Sequence, residues 1–215
     1  MIISHKHRYI FFAVPKTGTH SIRRALRESM GPEDLEQVGL FEQKKFPFPQ
    51  FQNIPHGHIS AREIAPVIGE GVFASYFKFA FVRNPYDRFV SYCAFIGRED
   101  PAFKADPLRY MIGIARDNPP LDHLLFWPQS AFLIDQSGKL AMDFVGRNED
   151  MQGSYDRICA EIGLPKTELE RANASQHRPY QEYYSDELRL WVSRLYKQDL
   201  ERFGYQFGAH ATQSA

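Results

Sequence analysis

The chain has 215 residues, of which 43% are apolar and 24% charged, the balance of a folded, water-soluble protein rather than a disordered one. Its 26 Lys and Arg are matched by 26 Asp and Glu, so a general binder of nucleic acid, which needs a basic excess, is disfavoured. No apolar run approaches the roughly 20 residues of a membrane span, the opening M-I-I-S-H-K-H-R does not read as a signal peptide, and Cys93 and Cys159 lack a metal-ligand or redox spacing; the expectation is a soluble, cytoplasmic protein with two reduced core thiols.

In chain order, Tyr9 to Val14 (Y-I-F-F-A-V) predicts a strand buried on both faces. Pro15 to Gly18 breaks it, and a helix opens at Thr19 or His20 and closes at Gly31-Pro32. The aromatic, proline-bearing stretch from Gly39 to Pro55 reads as an ordered loop. H-G-H-I-S (His56 to Ser60) follows it, then a short helix over Ala61 to Gly69. Tyr76 to Val82 predicts a second strand, and Asn84 caps a helix that has Pro85 at its first position and runs to about Ile96. Past the proline-interrupted segment Arg98 to Leu121, in which Asp106 to Ala115 reads as a helix, come a short helix near Trp127 to Ile134 and a strand over Met142 to Val145. A helix over Met151 to Ile162 stops at Gly163, and a last helix is capped by Ser185 and runs towards Phe203. Trp127 and Trp191 read as core residues. Alternating strands and helices predict an α/β layer fold around a mainly parallel sheet. Ligands of such sheets bind outside the carboxyl ends of the strands, so both strand-to-helix turns are expected to point at one crevice.

The first turn, Pro15-Lys16-Thr17-Gly18-Thr19-His20-Ser21, has the ingredients of a phosphate loop. Glycine allows backbone N–H groups to converge on an anion at the positive end of a helix. Lys16 adds a full charge, and Thr17, Thr19 and Ser21 add hydroxyl donors. Positive charge gathers here: residues 1–30 hold six Lys and Arg against Glu28 alone. The order is not that of a Walker loop, because the lysine precedes the glycine. A bare strand-to-helix turn with a surface lysine is the plainer alternative. In the second turn, F-V-R-N-P-Y-D-R-F-V-S (Phe81 to Ser91), Arg83 stands at a strand end, where a guanidinium clamps phosphate bidentately, with Ser91 about two turns along the following helix. The alternative is that Arg83 or Arg88 pairs with Asp87 and Ser91 only packs. His56 and His58 are two apart and share one side of an extended segment. Such a pair suits a general base, a structural pair capping a turn, or two ligands of a metal. No third ligand is obvious nearby, so metal binding ranks last.

Taken together, P-K-T-G-T-H-S resembles the 5′-phosphosulfate loop, and F-V-R-N-P-Y-D-R-F-V-S the 3′-phosphate motif, of sulfotransferases that use 3′-phosphoadenosine 5′-phosphosulfate (PAPS). H-G-H-I-S, Gln129, F-L-I-D-Q-S-G-K-L, M-D-F-V-G-R-N-E-D, Asn173-Ala-Ser175, Tyr184 to Leu188 and Tyr196 to Tyr205 are similar, in order, to the carbohydrate branch of that family and its soluble bacterial relatives. The resemblance implies one sulfotransferase domain over residues 1–208 with a flexible tail over 209–215, a three-layer fold like that of P-loop proteins, and transfer of a sulfuryl group to a hydroxyl of a sugar-containing acceptor, leaving 3′,5′-phosphoadenosine (PAP). It implies Lys16 beside the leaving phosphate, His58 as base with His56 in support, and donor contacts from Lys16, Thr17, Gly18, Thr19, His20, Ser21, Arg83 and Ser91, with no metal required. Asn173 and Ser175 would belong either to a loop that closes over the nucleotide or to a cap of the turn before His177. By loop position, the stretch Phe46 to Pro55 and the segment Arg98 to Pro120 would line an acceptor cleft. A non-catalytic PAP-binding module and a P-loop kinase are the competing readings. The acceptor's identity and the oligomeric state are not written in the motifs.

Overall fold

Across a five-stranded sheet the order is Leu35–Glu36 (β3), Ile2–Ser4 (β1), Tyr9–Phe12 (β2), Phe77–Val82 (β4) and Phe144–Arg147 (β5). The computed structural model of the chain describes residues 1–37, 46–170 and 178–208. Strand β2 (Tyr9–Phe12) and strand β4 (Phe77–Val82) run parallel, pairing Tyr9 with Phe77 and Phe12 with Ala80. Strand β5 (Phe144–Arg147) continues the parallel set, with Val82 opposite Arg147. The expected apolar runs thus form the centre of the sheet, and the third strand sits two residues later than its composition suggests. Two further strands, β1 (Ile2–Ser4) and β3 (Leu35–Glu36), add an antiparallel edge. At three and two residues they are too short to carry a readable period.

The chain divides into two compact units, Met1–Val82 with Ala131–Ala172, and Arg83–Ser130 with Asn173–Ala215. In the first, Phe11, Phe79 and Phe81 pack with Ile22 and Leu26 of helix α1 (Thr19–Arg27) and with Tyr155, Ile158 and Cys159 of a later helix over Met151–Ile162. The alternate residues Ile10, Phe12, Ala80 and Val82 are also fully buried. Both sheet faces are therefore covered, the usual state of parallel strands. Each buried Ile, Leu, Val or Phe among these contributes roughly 1.5–3 kcal/mol of burial free energy. Helix α2 (Ala61–Ile68) opens on a capping box between Ser60 and Glu63 and ends at Gly69; a short helix α3 (Glu70–Ser75) leads into β4.

The second unit is helical. Its core gathers Tyr86, Phe89, Val90 and Cys93 of helix α4 (Pro85–Ile96) with Met111, Phe126, Leu188, Val192 and Tyr196. Asn84 caps α4 by accepting from the N–H of Tyr86 at 3.1 Å. The two helices α5 (Pro101–Ala105) and α6 (Pro107–Ile112) follow, and α6 winds on as a wider π-type turn over Gly113–Asp117 rather than as regular helix to Ala115. After helices α7 (Ser130–Leu133) and α8 (Met151–Ile162), the expected single last helix is two, α9 (Asp186–Leu195) and α10 (Lys197–Phe203). The break is at Tyr196, which is buried and donates its hydroxyl proton to the carbonyl of Phe126. Among the described residues, no helix is long and apolar enough to cross a membrane.

Candidate active site

β2, β4 and β5 are parallel, so their carboxyl ends share one edge of the sheet. Past β2 the chain turns sharply. Lys16 takes φ 65° and Gly18 φ 78°, both in the left-handed region. Lysine holds that conformation at a cost, whereas glycine holds it freely. A Cβ on Gly18 would also stand 2.3 Å from Cε of Met151 and 2.9 Å from Nδ2 of Asn148. Thr17 is fully buried, and its hydroxyl donates to the carbonyl of Val14 at 2.9 Å. That hydroxyl closes the turn, which leaves the backbone as Thr17's means of meeting a ligand. Thr19 and Ser21 lie in the first turn of α1 and are largely buried, and that turn contains no acidic residue. The positive end of the helix is therefore uncancelled locally.

Arg23, Arg24 and Arg27, three of the six cations in residues 1–30, face carboxylates. Arg27 forks onto Glu36 with contacts of 2.7 and 2.8 Å. Arg23 stands 3.9 Å from the same carboxylate, and Arg24 pairs with Glu170. A positive field persists all the same. The pKa of His20, on the exposed side of α1, is lowered by desolvation and then by Arg23, Arg27 and Lys16.

The histidine segment belongs to the same unit. Nδ1 of His58 lies 2.6 Å from the carbonyl oxygen of Ala13, three residues before Lys16. A carbonyl only accepts, so Nδ1 carries the proton and Nε2 keeps the lone pair. Burial lowers the pKa of His58 to about 3, opposed by the bond to Ala13 and aided by the chain's amino terminus, Arg23 and His56. The imidazole is neutral at pH 7. The rings of His56 and His58 stack with centroids 6.1 Å apart, as their spacing predicts. His56 Nδ1 also accepts from the N–H of His58 at 3.3 Å, so the turn-capping role coexists with a shared side. Between them Gly57 is required by close approach: a Cβ there would fall 1.9 Å from the carbonyl oxygen of Gln37 and 2.4 Å from Nη2 of Arg23. Arg23, on α1, donates to the carbonyl of Gly57 at 3.3 Å and so ties this segment to the helix that begins at the phosphate-type turn.

In the second unit, the side chain of Arg83 forks onto Asp87, Nε at 2.8 Å and Nη2 at 2.7 Å. The pairing that offered the plainer account of Arg83 is therefore made. It uses one edge of the guanidinium and leaves Nη1 outside the pair. Arg88 is fully buried and donates to the carbonyls of Leu125 and Trp127, so its role is internal. Ser91 is buried on α4.

A model of the sulfotransferase family matches residues 1–206. The chain belongs to the sulfotransferase family. Sulfuryl transfer is the reaction of that family, and PAPS is generally its donor. No curated protein and no solved structure matches the chain.

One contributor to this sulfotransferase's loop escaped the reading of the sequence. Asn148, just past β5, donates from Nδ2 to the carbonyl of Thr17 at 3.1 Å and lies against Gly18. It lies in the stretch M-D-F-V-G-R-N-E-D, which carries part of the family resemblance without a role for the asparagine. Asn173 and Ser175, and the tail 209–215, lie outside the described residues. Cys93 and Cys159 are buried, free thiols. Trp127, expected in the core, is 38% exposed, with its indole N–H on the carbonyl of Leu121; Trp191 packs at the rim of the helical core. Within the segment Arg98 to Pro120 of the sulfotransferase, an open cavity of about 320 Å³ is lined by Asp106, Arg109, Tyr110 and Asn118, among others. Among the described residues, no three His, Cys, Asp or Glu side chains gather as metal ligands would.

Proposed function

We propose that this sulfotransferase moves a sulfuryl group from PAPS to a hydroxyl of a carbohydrate-containing acceptor. The observation that carries the reading is the bond from His58 to Ala13, which ties an imidazole to the root of the Pro15–Ser21 turn. A neutral ring with its lone pair on Nε2 is free to accept a proton, and the negative charge of a bound donor beside it is what would raise its pKa from about 3 towards the range a general base needs.

Bound PAPS supplies an activated sulfuryl group on a phosphate leaving group. Backbone N–H groups of Lys16 to Ser21 and the hydroxyls of Thr19 and Ser21 hold the phosphosulfate at the head of α1. His20 adds a ring or backbone contact. The ammonium of Lys16 offsets the negative charge that grows on the leaving oxygen, the largest service a protein can offer such a transfer. His58 takes the acceptor's proton at Nε2, while His56 steadies the ring or meets the acceptor. Arg83 and Ser91 take the 3′-phosphate, Arg83 through the edge that Asp87 does not occupy. The chemistry calls for no metal, since Lys16 provides the charge a cation would. The sugar reading draws on the resemblance to the carbohydrate branch, and the Asp106–Asn118 cavity offers polar and aromatic groups suited to hydroxyls. Two buried free thiols suit a cytoplasmic setting.

The test is a transfer screen with labelled PAPS over glycans and small hydroxyl compounds, together with thermal protection by PAP and by ATP at equal concentration. PAP is expected to raise the melting temperature more than ATP does. Equal protection, with no acceptor labelled, would reject the proposal. PAP protection without turnover would identify a binding module instead.

A further inference from the structure

Gln129 is fully buried, and its carboxamide makes two hydrogen bonds to a single residue. Oε1 accepts from the backbone N–H of Arg83 at 2.8 Å, and Nε2 donates to the backbone carbonyl of Arg83 at 2.9 Å. A carboxamide presents an acceptor and a donor side by side, as the edge of a strand does. The backbone of Arg83 is thus paired as though a further strand lay beside it. Gln129 is itself anchored. The carboxylate of Asp199, on α10 and fully buried, accepts from the N–H of Gln129 at 2.7 Å and of Ser130 at 2.8 Å. On the next residue, Asn84 Nδ2 donates to the carbonyl of Gln206 at 3.1 Å. A buried carboxylate and a buried carboxamide are costly unless every group is matched. Here the carboxamide is spent on the root of one arginine and the carboxylate on the backbone that carries the carboxamide, while Asp87 orients the guanidinium of that arginine.

We infer that Gln129, backed by Asp199, is a positioning residue that sets the backbone of Arg83 so that its guanidinium meets the 3′-phosphate of the nucleotide in one register. This rests on the reading of Arg83 given above. A residue that only satisfied buried backbone groups would affect stability. A positioning residue must also affect the preference for a nucleotide that carries a 3′-phosphate.

The experiment measures affinities of the full chain for PAP and for AMP, which lacks that phosphate, by calorimetry. The variants are Gln129→Glu, Gln129→Met, Asp199→Asn and Arg83→Ala. Expected is a fall of roughly tenfold in the PAP-over-AMP preference in both Gln129 variants, and a smaller fall in Asp199→Asn, with AMP affinity little changed. If the Gln129 and Asp199 variants keep the wild-type preference while Arg83→Ala loses it, Gln129 only supports the fold and the inference is overturned. If Arg83→Ala keeps the preference too, Arg83 does not hold the 3′-phosphate, and the reading beneath the inference fails with it. Should the Gln129 variants not fold, Asp199→Asn decides by the same ratio.

Discussion

In the turn from Pro15 to Ser21, Lys16 and Gly18 take left-handed backbone angles, the helix that follows has no acid in its first turn, and an amide from Asn148 holds the carbonyl of Thr17. In the turn from Arg83 to Ser91, the backbone is regular, asparagine and proline start the helix, and Asp87 in its first turn forks onto the arginine. One turn is left-handed and opens a helix with no acid in its first turn; the other opens a helix whose first turn carries the acid that pairs with its arginine. The contrast suits a division of labour. Charge that develops during a reaction needs a counter-charge nearby. A phosphate that is only recognised needs a donor of fixed direction.

The largest effect that would break this contrast is on Lys16. Lys16→Ala should lower the transfer rate by about 10³-fold, with the circular dichroism spectrum unchanged; labelled-PAPS transfer at the wild-type rate would end its assigned role. Next is His58→Ala, with an expected loss of about 10²-fold in transfer and PAP affinity retained. Loss of both together would make His58 a structural residue. Gly57→Ala should destabilise the first unit by roughly 1–3 kcal/mol, because the added methyl meets backbone that has no room to retreat. Urea unfolding measures it, and an unchanged midpoint would contradict the packing around Gln37. A smaller effect is expected from Asp87→Asn: relieved of its counter-charge, Arg83 should bind PAP about threefold more tightly. Calorimetry showing weaker binding would mean that Asp87 orients the arginine more than it competes for it.

A further effect is on stability against pH. The pKa of His58 is about 3 in the folded chain against 6.5 for an unperturbed imidazole. Its burial therefore favours the native state above pH 6.5, and that contribution declines as pH falls towards 3, because the unfolded chain takes up a proton that the folded chain refuses. Denaturant midpoints measured over this range should fall with pH, and fall less steeply in His58→Ala. Equal slopes would show that the ring is not kept neutral by burial.

Much of the frame was legible along the chain. The apolar runs at Tyr9 and Tyr76 announce β2 and β4, Asn84-Pro85 starts α4 where expected, and Gly163 stops α8 at Ile162. Such signals act within one turn or one strand, so they survive without tertiary context. The site was legible as residue types and less so as partnerships. Nothing in the text of Pro15 to Ser21 says that Thr17 spends its hydroxyl on Val14, or that Asn148, distant in sequence, holds the loop. Trp127 read as core because large apolar rings are usually covered, yet its N–H found a carbonyl at the surface.

The amino-acid sequence by itself determined the strands of the sheet's centre, the caps and stops of the main helices, and the family, because side-chain period, glycine freedom and motif order are local properties. Only the tertiary structure decided that His58 hangs from Ala13, that Arg27 is consumed by Glu36 and that Gln129 grips Arg83. Those pairings join positions from 9 to 46 residues apart, beyond the reach of a single helical turn. They form only once buried polar groups, cut off from water, must find partners within the fold.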